Sequence, residues 1–148
     1  MIVVDTSVFI DLLFEYDSVR THSAEELFSI LEEKGLTILE PDLFKVELSG
    51  QIARRVKRDL APKISEEIFR ELVFIRTSWI FDEALSIALE TGSRAADSFY
   101  LAAARVERAI LISNDRFQVE SGKESGIEAY NLLQDKELIE KRLLEIES

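Results

Sequence analysis

The apolar positions fall into short blocks and helical stripes. Ile2–Val4 is an unbroken apolar run that ends on Asp5, and helical spacing takes over from Thr6 for about two turns. "SAEELFSILEEKG" carries helix boundaries of its own: Ser23 and Glu26 are spaced as a capping box, and Gly35 suits the stop. "LTILE" at 36–40 reads as a second buried strand. Pro41 then opens a helix to about Asp59, with Phe44, Leu48, Ile52 and Val56 four apart. Further helices are expected over Ser65–Phe74 and Asp82–Thr91, with a short extended piece near Arg76–Trp79 between them. Ser93 is placed to cap an Ala-rich helix, "RAADSFYLAAARVERA". "ILIS" at 110–113 and "EAYNL" at 128–132 are the remaining strands. A charged amphipathic helix with Leu138, Ile139, Leu143 and Ile146 on one side closes the chain.

Short apolar strands alternating with helices predict an α/β domain whose parallel sheet is covered on both faces. The 148 residues suit a single domain spanning 1–148. Apolar residues make up 47%, enough for a sizeable core and against disorder. No cysteine is present, which removes disulfides, thiolate metal sites and Cys nucleophiles. No apolar run reaches membrane-spanning length, and with a strand starting at Ile2 no signal peptide is expected. A soluble cytoplasmic protein with no membrane partner is the expectation. The net charge of -11 argues against non-specific nucleic-acid binding and leaves only a local basic patch for that purpose.

In parallel sheets, ligands sit beyond the carboxyl ends of the strands. Asp5 and Asp115 both follow strands there. Glu47 lies inside the helix after the second strand, near Gly50, where a mid-helix glycine suggests a close backbone approach. Asp97 lies in the first turns of the Ala-rich helix, among residues small enough to press it inward. Each acid also has an ordinary structural reading: a cap, a dipole partner, a turn residue, a solvated helix position. Four together, at intervals one fold accounts for, weigh against four coincidences.

"VDTSVFIDLL", "PDLFKVELSG", "AADSFYLAAA" and "LISNDRF", in this order and spacing, resemble the four acidic motifs of the PIN domain family. The resemblance spans Ile2 to about Asn131, and the size is similar to toxins of prokaryotic VapBC toxin–antitoxin pairs. It implies a three-layer sandwich around a parallel sheet of four or five strands. It also implies an acidic pocket for Mg²⁺ or Mn²⁺, endoribonuclease activity on RNA, a VapB-type antitoxin as partner, and a homodimer. By position, Asp5, Glu47, Asp97 and Asp115 match the family's catalytic metal-binding acids, and Ser7 and Ser113 match supporting positions. Asn114 and Ser98 depart from the residues usual there. Two other classes stay open: a stand-alone PIN nuclease for RNA processing or DNA, and a binding module without turnover.

The chemistry fits these residue types. Several carboxylates in one pocket raise one another's pKa, and a divalent cation relieves that conflict. Oxygen-only ligands on separate elements suit Mg²⁺ or Mn²⁺ better than Zn²⁺. Such a cation makes water a competent nucleophile near neutral pH, so no side-chain nucleophile is needed. His22 is the single histidine and reads as a surface residue, and no nucleophile elbow accompanies it. No Gly-rich phosphate loop is present. A phosphoacceptor receiver would need paired acids after the first strand, and "DTS" has one. On the helix carrying Glu47, Arg54 and Arg58 return to within about 20° of that residue and are candidate RNA-phosphate contacts. A solvated basic face is the plainer reading of the stripe. Asp11, four residues after Ser7 on the same helical face, is placed to touch the outer edge of the site, with an exposed helix acid the plainer reading.

Overall fold

The computed structural model describes residues 1–146. The elements are β1 (Ile2–Val4), α1 (Thr6–Leu13), α2 (Ser18–Glu33), β2 (Leu39–Pro41), α3 (Leu43–Ala53), α4 (Ala61–Arg70), β3 (Val73–Ile75), a 3-10 turn (Thr77–Trp79), α5 (Phe81–Thr91), α6 (Ala95–Glu107), β4 (Ile110–Ser113), α7 (Arg116–Glu124), β5 (Ala129–Asn131) and α8 (Lys136–Glu145). The central parallel sheet runs β1-β4-β5, with Ile2 opposite Ile110 and Ser113 opposite Asn131. β2 and β3 form a second parallel pair, joined to the first by one bridge between Ile2 and Ile38. Helices flank this sheet, and α6 lies across β1, β2 and β4.

A sheet of four or five strands is thus present as three plus two. Two residues cut it. Pro41 has no N–H to offer β1, so the ladder stops there. The Val4 N–H donates instead to Oε2 of Glu40, 3.3 Å away, in place of a backbone carbonyl.

β1 and the first three residues of β4 are apolar because both faces are covered; Ile2, Val3, Val4, Leu111 and Ile112 have no exposed surface. The small residues of α6 let it lie close to the strands, and Ala102 and Ala103 are fully buried. The close backbone approach lies at Gly122, not Gly50. A Cβ on Gly122 would sit 3.1 Å from the Ala129 Cβ, whereas one on Gly50 would meet nothing within 4 Å.

Several boundaries differ from the sequence pattern. α2 starts at Ser18, where Asp17 caps it through the Val19 and Arg20 N–H groups, and Ser23 is buried inside the helix. Gly35 does close that stretch in the left-handed region, at φ 62°. Pro41 ends β2, and α3 stops at Ala53 rather than Asp59. β3 occupies residues expected to be helix, and the piece at Thr77–Trp79 is a 3-10 turn. Arg94, not Ser93, holds the cap position of α6 and gives it no side-chain bond. On α8, Ile139 and Leu143 are buried against this chain's own α2, while Leu138 is exposed.

Candidate metal centre

Asp5 leaves β1 at its carboxyl end, and its N–H donates to the Ile112 carbonyl at 2.9 Å, so β4 fixes its height. It does cap α1: its Oδ2 accepts from the Ser7 N–H (3.3 Å), the Ser7 hydroxyl (2.6 Å) and the Ser113 hydroxyl (3.2 Å). All three bonds fall on one oxygen. Asp115 caps α7 in the same manner, with Oδ1 accepting from the Phe117 and Gln118 N–H groups at 2.9 and 3.4 Å. The Ser113 hydroxyl in turn accepts from the Asp115 N–H at 2.9 Å, so one serine links the two acids.

Glu47 reaches the same edge from α3. Its Oε1 accepts from the Thr6 hydroxyl at 2.5 Å and the Tyr100 hydroxyl at 3.0 Å, and these two hydroxyls are 2.6 Å apart. Tyr100 lies three residues after Asp97 on α6 and is fully buried, which raises its pKa and keeps it a neutral donor. Asp97 accepts no hydrogen bond from the described residues. Asp5, Glu47 and Asp97 line one cleft; Asp97 and Asp115 line the adjoining one. The four acids predicted from sequence therefore meet at the carboxyl edge of β1 and β4. Three spend one oxygen on the scaffold and leave the other without a donor among the described residues, and Asp97 leaves both.

Mutual repulsion registers in the acids' protonation. Asp97 is pushed up to about 6 by partial burial first, and then by Asp5, Asp115 and Glu47. Asp5 is also raised, mainly by burial, against the lowering effect of its serine bonds.

Sequence reasoning missed Glu40 and Tyr100, and its plainer reading of Asp11 does not hold. Glu40 is completely buried under this edge; burial, then Asp5 and Glu47, push its pKa well up. Its Oε1 lacks a partner. Its signal was a carboxylate closing a buried strand. Asp11 is 8% exposed, not a surface acid: Arg20 Nε lies 3.1 and 3.2 Å from its oxygens, and Asn114 Nδ2 donates at 2.6 Å. Asn114, the departure before the last acid, thus ties β4 to α1. Tyr100 had no signal beyond its place one turn after Asp97.

Arg20 lines the acid cleft, whereas Arg54 and Arg58 do not. Arg54 is the exposed C-cap of α3, and Arg58 lies beyond the helix end, lining a separate cleft with Pro62 and Phe69. The helical-face argument for Arg58 fails because the helix does not extend to it. Ser98 bonds the Arg94 carbonyl at 2.9 Å, and His22 is exposed and paired with Glu26.

Among the described residues, no three acids stand close enough to form a ready-made cation cage. The donor set still fits Mg²⁺ or Mn²⁺. It is oxygen only, and Mg²⁺ commonly takes one or two carboxylates directly while keeping several waters.

The PIN domain model matches residues 2–120, and the chain belongs to the PIN domain family. PIN domains are generally nucleases that use divalent metals. The fold is similar to that in the crystal structure of PAE2754 from Pyrobaculum aerophilum, at 21% identity and TM-score 0.64, covering 97% of this chain and 96% of that one. It is also similar to FitAB bound to an IR36 DNA fragment, at 16% identity, TM-score 0.72, and 90% and 96% coverage. FitAcB from Neisseria gonorrhoeae gives 17% identity, TM-score 0.63, and 90% and 99% coverage. No curated protein matches the chain.

Proposed function

We propose that this protein is a metal-dependent endoribonuclease that hydrolyses RNA phosphodiesters, the toxin half of a VapBC-type pair. The observation that carries the reading is the convergence of Asp5, Glu47, Asp97 and Asp115, each with an oxygen left free by the scaffold. Mg²⁺ or Mn²⁺ would be held by these acids and would supply the Lewis acidity that phosphodiester hydrolysis needs. Ser7 and Ser113 hold Asp5 in place; Thr6 and Tyr100 hold Glu47. Such pre-set ligands need little rearrangement when substrate arrives. The Thr6, Ser7, Ser113 and Tyr100 hydroxyls at this edge are engaged by the acids, which leaves water as the attacking group. Arg20, fixed by Asp11 at the cleft mouth, is the cation placed to meet a phosphate there. Likeness to FitAB over nearly the whole chain supports the toxin assignment and a small antitoxin as partner.

The test is cleavage of a structured RNA with Mg²⁺, with Mn²⁺ and with EDTA, for the wild type and Asp97→Asn. Cleavage in both metal arms, lost with EDTA and reduced at least about a hundredfold in the variant, is expected. Cleavage that persists in EDTA would overturn the metal role. Absence of cleavage in every arm would leave a binding module.

A further inference from the structure

The cleft beyond Asp97 has a feature that metal chemistry does not use. Phe117 is 75% exposed, two residues after Asp115, and lines this cleft with both Asp97 and Asp115. Its backbone is not free: the Phe117 N–H donates to Asp115 at 2.9 Å, so the ring's carrier is fixed to a site acid. Across the cleft stands Arg94 at the α6 cap, whose charge acts directly on Asp97. The rest of the lining is polar, including Ser93, Ser121 and Gln118. Gln118 is buried and its Nε2 has no partner. The cleft holds about 310 Å³, the lower end of the range for small-ligand sites.

We infer that this cleft seats the nucleotide beside the scissile phosphate, with its base stacked on Phe117 and its phosphate or sugar met by Arg94. The inference rests on the nuclease reading and adds a substrate subsite to it. Two physical points favour it. A chain of net charge -11 gains little from long-range attraction of phosphates, so strand affinity must come from short-range contacts. Base–aromatic stacking is such a contact, and it tolerates any base because each has a π-face. A protein-docking surface would instead call for contiguous apolar area, and here a single ring stands among hydroxyls, an amide, a guanidinium and two acids.

The experiment is fluorescence anisotropy of a labelled oligoadenylate of about twelve nucleotides and of a base-free ribose-phosphate oligomer of equal length, with Ca²⁺ in place of Mg²⁺ to suppress turnover. Phe117→Ala should weaken binding of the oligoadenylate about five- to a hundredfold and leave the base-free oligomer unaffected. Phe117→Trp should restore it. Arg94→Gln should weaken both oligomers alike and reduce the salt slope by about one. Equal loss on both oligomers for Phe117→Ala, or no loss on either, overturns the subsite while wild-type cleavage keeps the nuclease reading intact. If Phe117→Ala instead spares RNA binding and disrupts self-association, the ring is a protein contact and the subsite is wrong. A wild type that neither binds nor cuts RNA takes both readings down together.

Discussion

β1 has a different kind of neighbour on each side. Toward β4 it keeps a regular parallel ladder from Ile2–Ile110 to Val4–Ile112, built only from Ile, Val and Leu. Toward β2 it keeps one bridge, after which a buried carboxyl group replaces the backbone partner of Val4. The first flank is a rigid apolar platform that sets Asp5 and Asp115 at one height. The second brings the buried carboxyl group of Glu40 beneath the site acids and gives up ladder hydrogen bonds in doing so. Stability is concentrated on one flank, and the other carries the polar adjustments the acid edge requires.

Leu111→Ala attacks the stable flank and should have the largest effect. Leu111 is fully buried between Val3 and Ala129 in the sheet, so truncation should cost about 2–5 kcal/mol by denaturant unfolding. A cost below about 1 kcal/mol would mean that the β4 side is not the platform. Glu40→Leu attacks the other flank by removing the acceptor for Val4, and about 1–3 kcal/mol is expected. Glu40→Gln keeps an acceptor oxygen for the Val4 N–H, so it should cost less than Glu40→Leu. The reverse order of these two variants would show that the acceptor role contributes little.

A smaller effect concerns the acid edge without metal. The folded-state pKa of Asp97 is about 6, above its ordinary 3.8. The folded protein therefore holds this proton more tightly than the unfolded chain. The resulting stability is fully present below about pH 4 and is lost as pH rises through 6. With EDTA present, the melting temperature should fall by a few degrees over that window, and Asp97→Asn should flatten the fall. An identical profile in the variant would remove Asp97 as its source.

What could be read in the sequence followed from strong local signals. β1 and Ile110–Ile112 of β4 are uninterrupted β-branched and aliphatic runs, and the acids just beyond the two strands sit where parallel sheets place ligands. Of the apolar neighbours that marked Glu47 in the sequence, Leu48 is buried but Val46 is exposed, so they did not by themselves fix its face. Features set by long-range partners were hidden. Asp11 is buried where Arg20, nine residues on, pairs with it and Asn114, distant in sequence, bonds it. Burial, and then Asp5 and Glu47, push the pKa of Glu40 up, and no local pattern records that environment. α3 ends at Ala53 although Val56 continues the apolar spacing, and Arg58 moves away from the site with that ending. Val73–Ile75 pairs in parallel with β2, a contact made across α3 and α4.

The central claim is that the free oxygens of four acids make a cation site. Its most direct measurement is the melting temperature of the metal-free protein titrated with Mn²⁺, for the wild type and Asp5→Asn. Binding to the folded state alone should stabilise the wild type by about 2.7 kcal/mol at a hundred times the Kd. Asp5→Asn keeps an oxygen for the serine bonds but removes the charge, so its shift at equal Mn²⁺ should be much smaller. A shift of the same size in both proteins would reduce Asp5 to a helix cap and contradict the account.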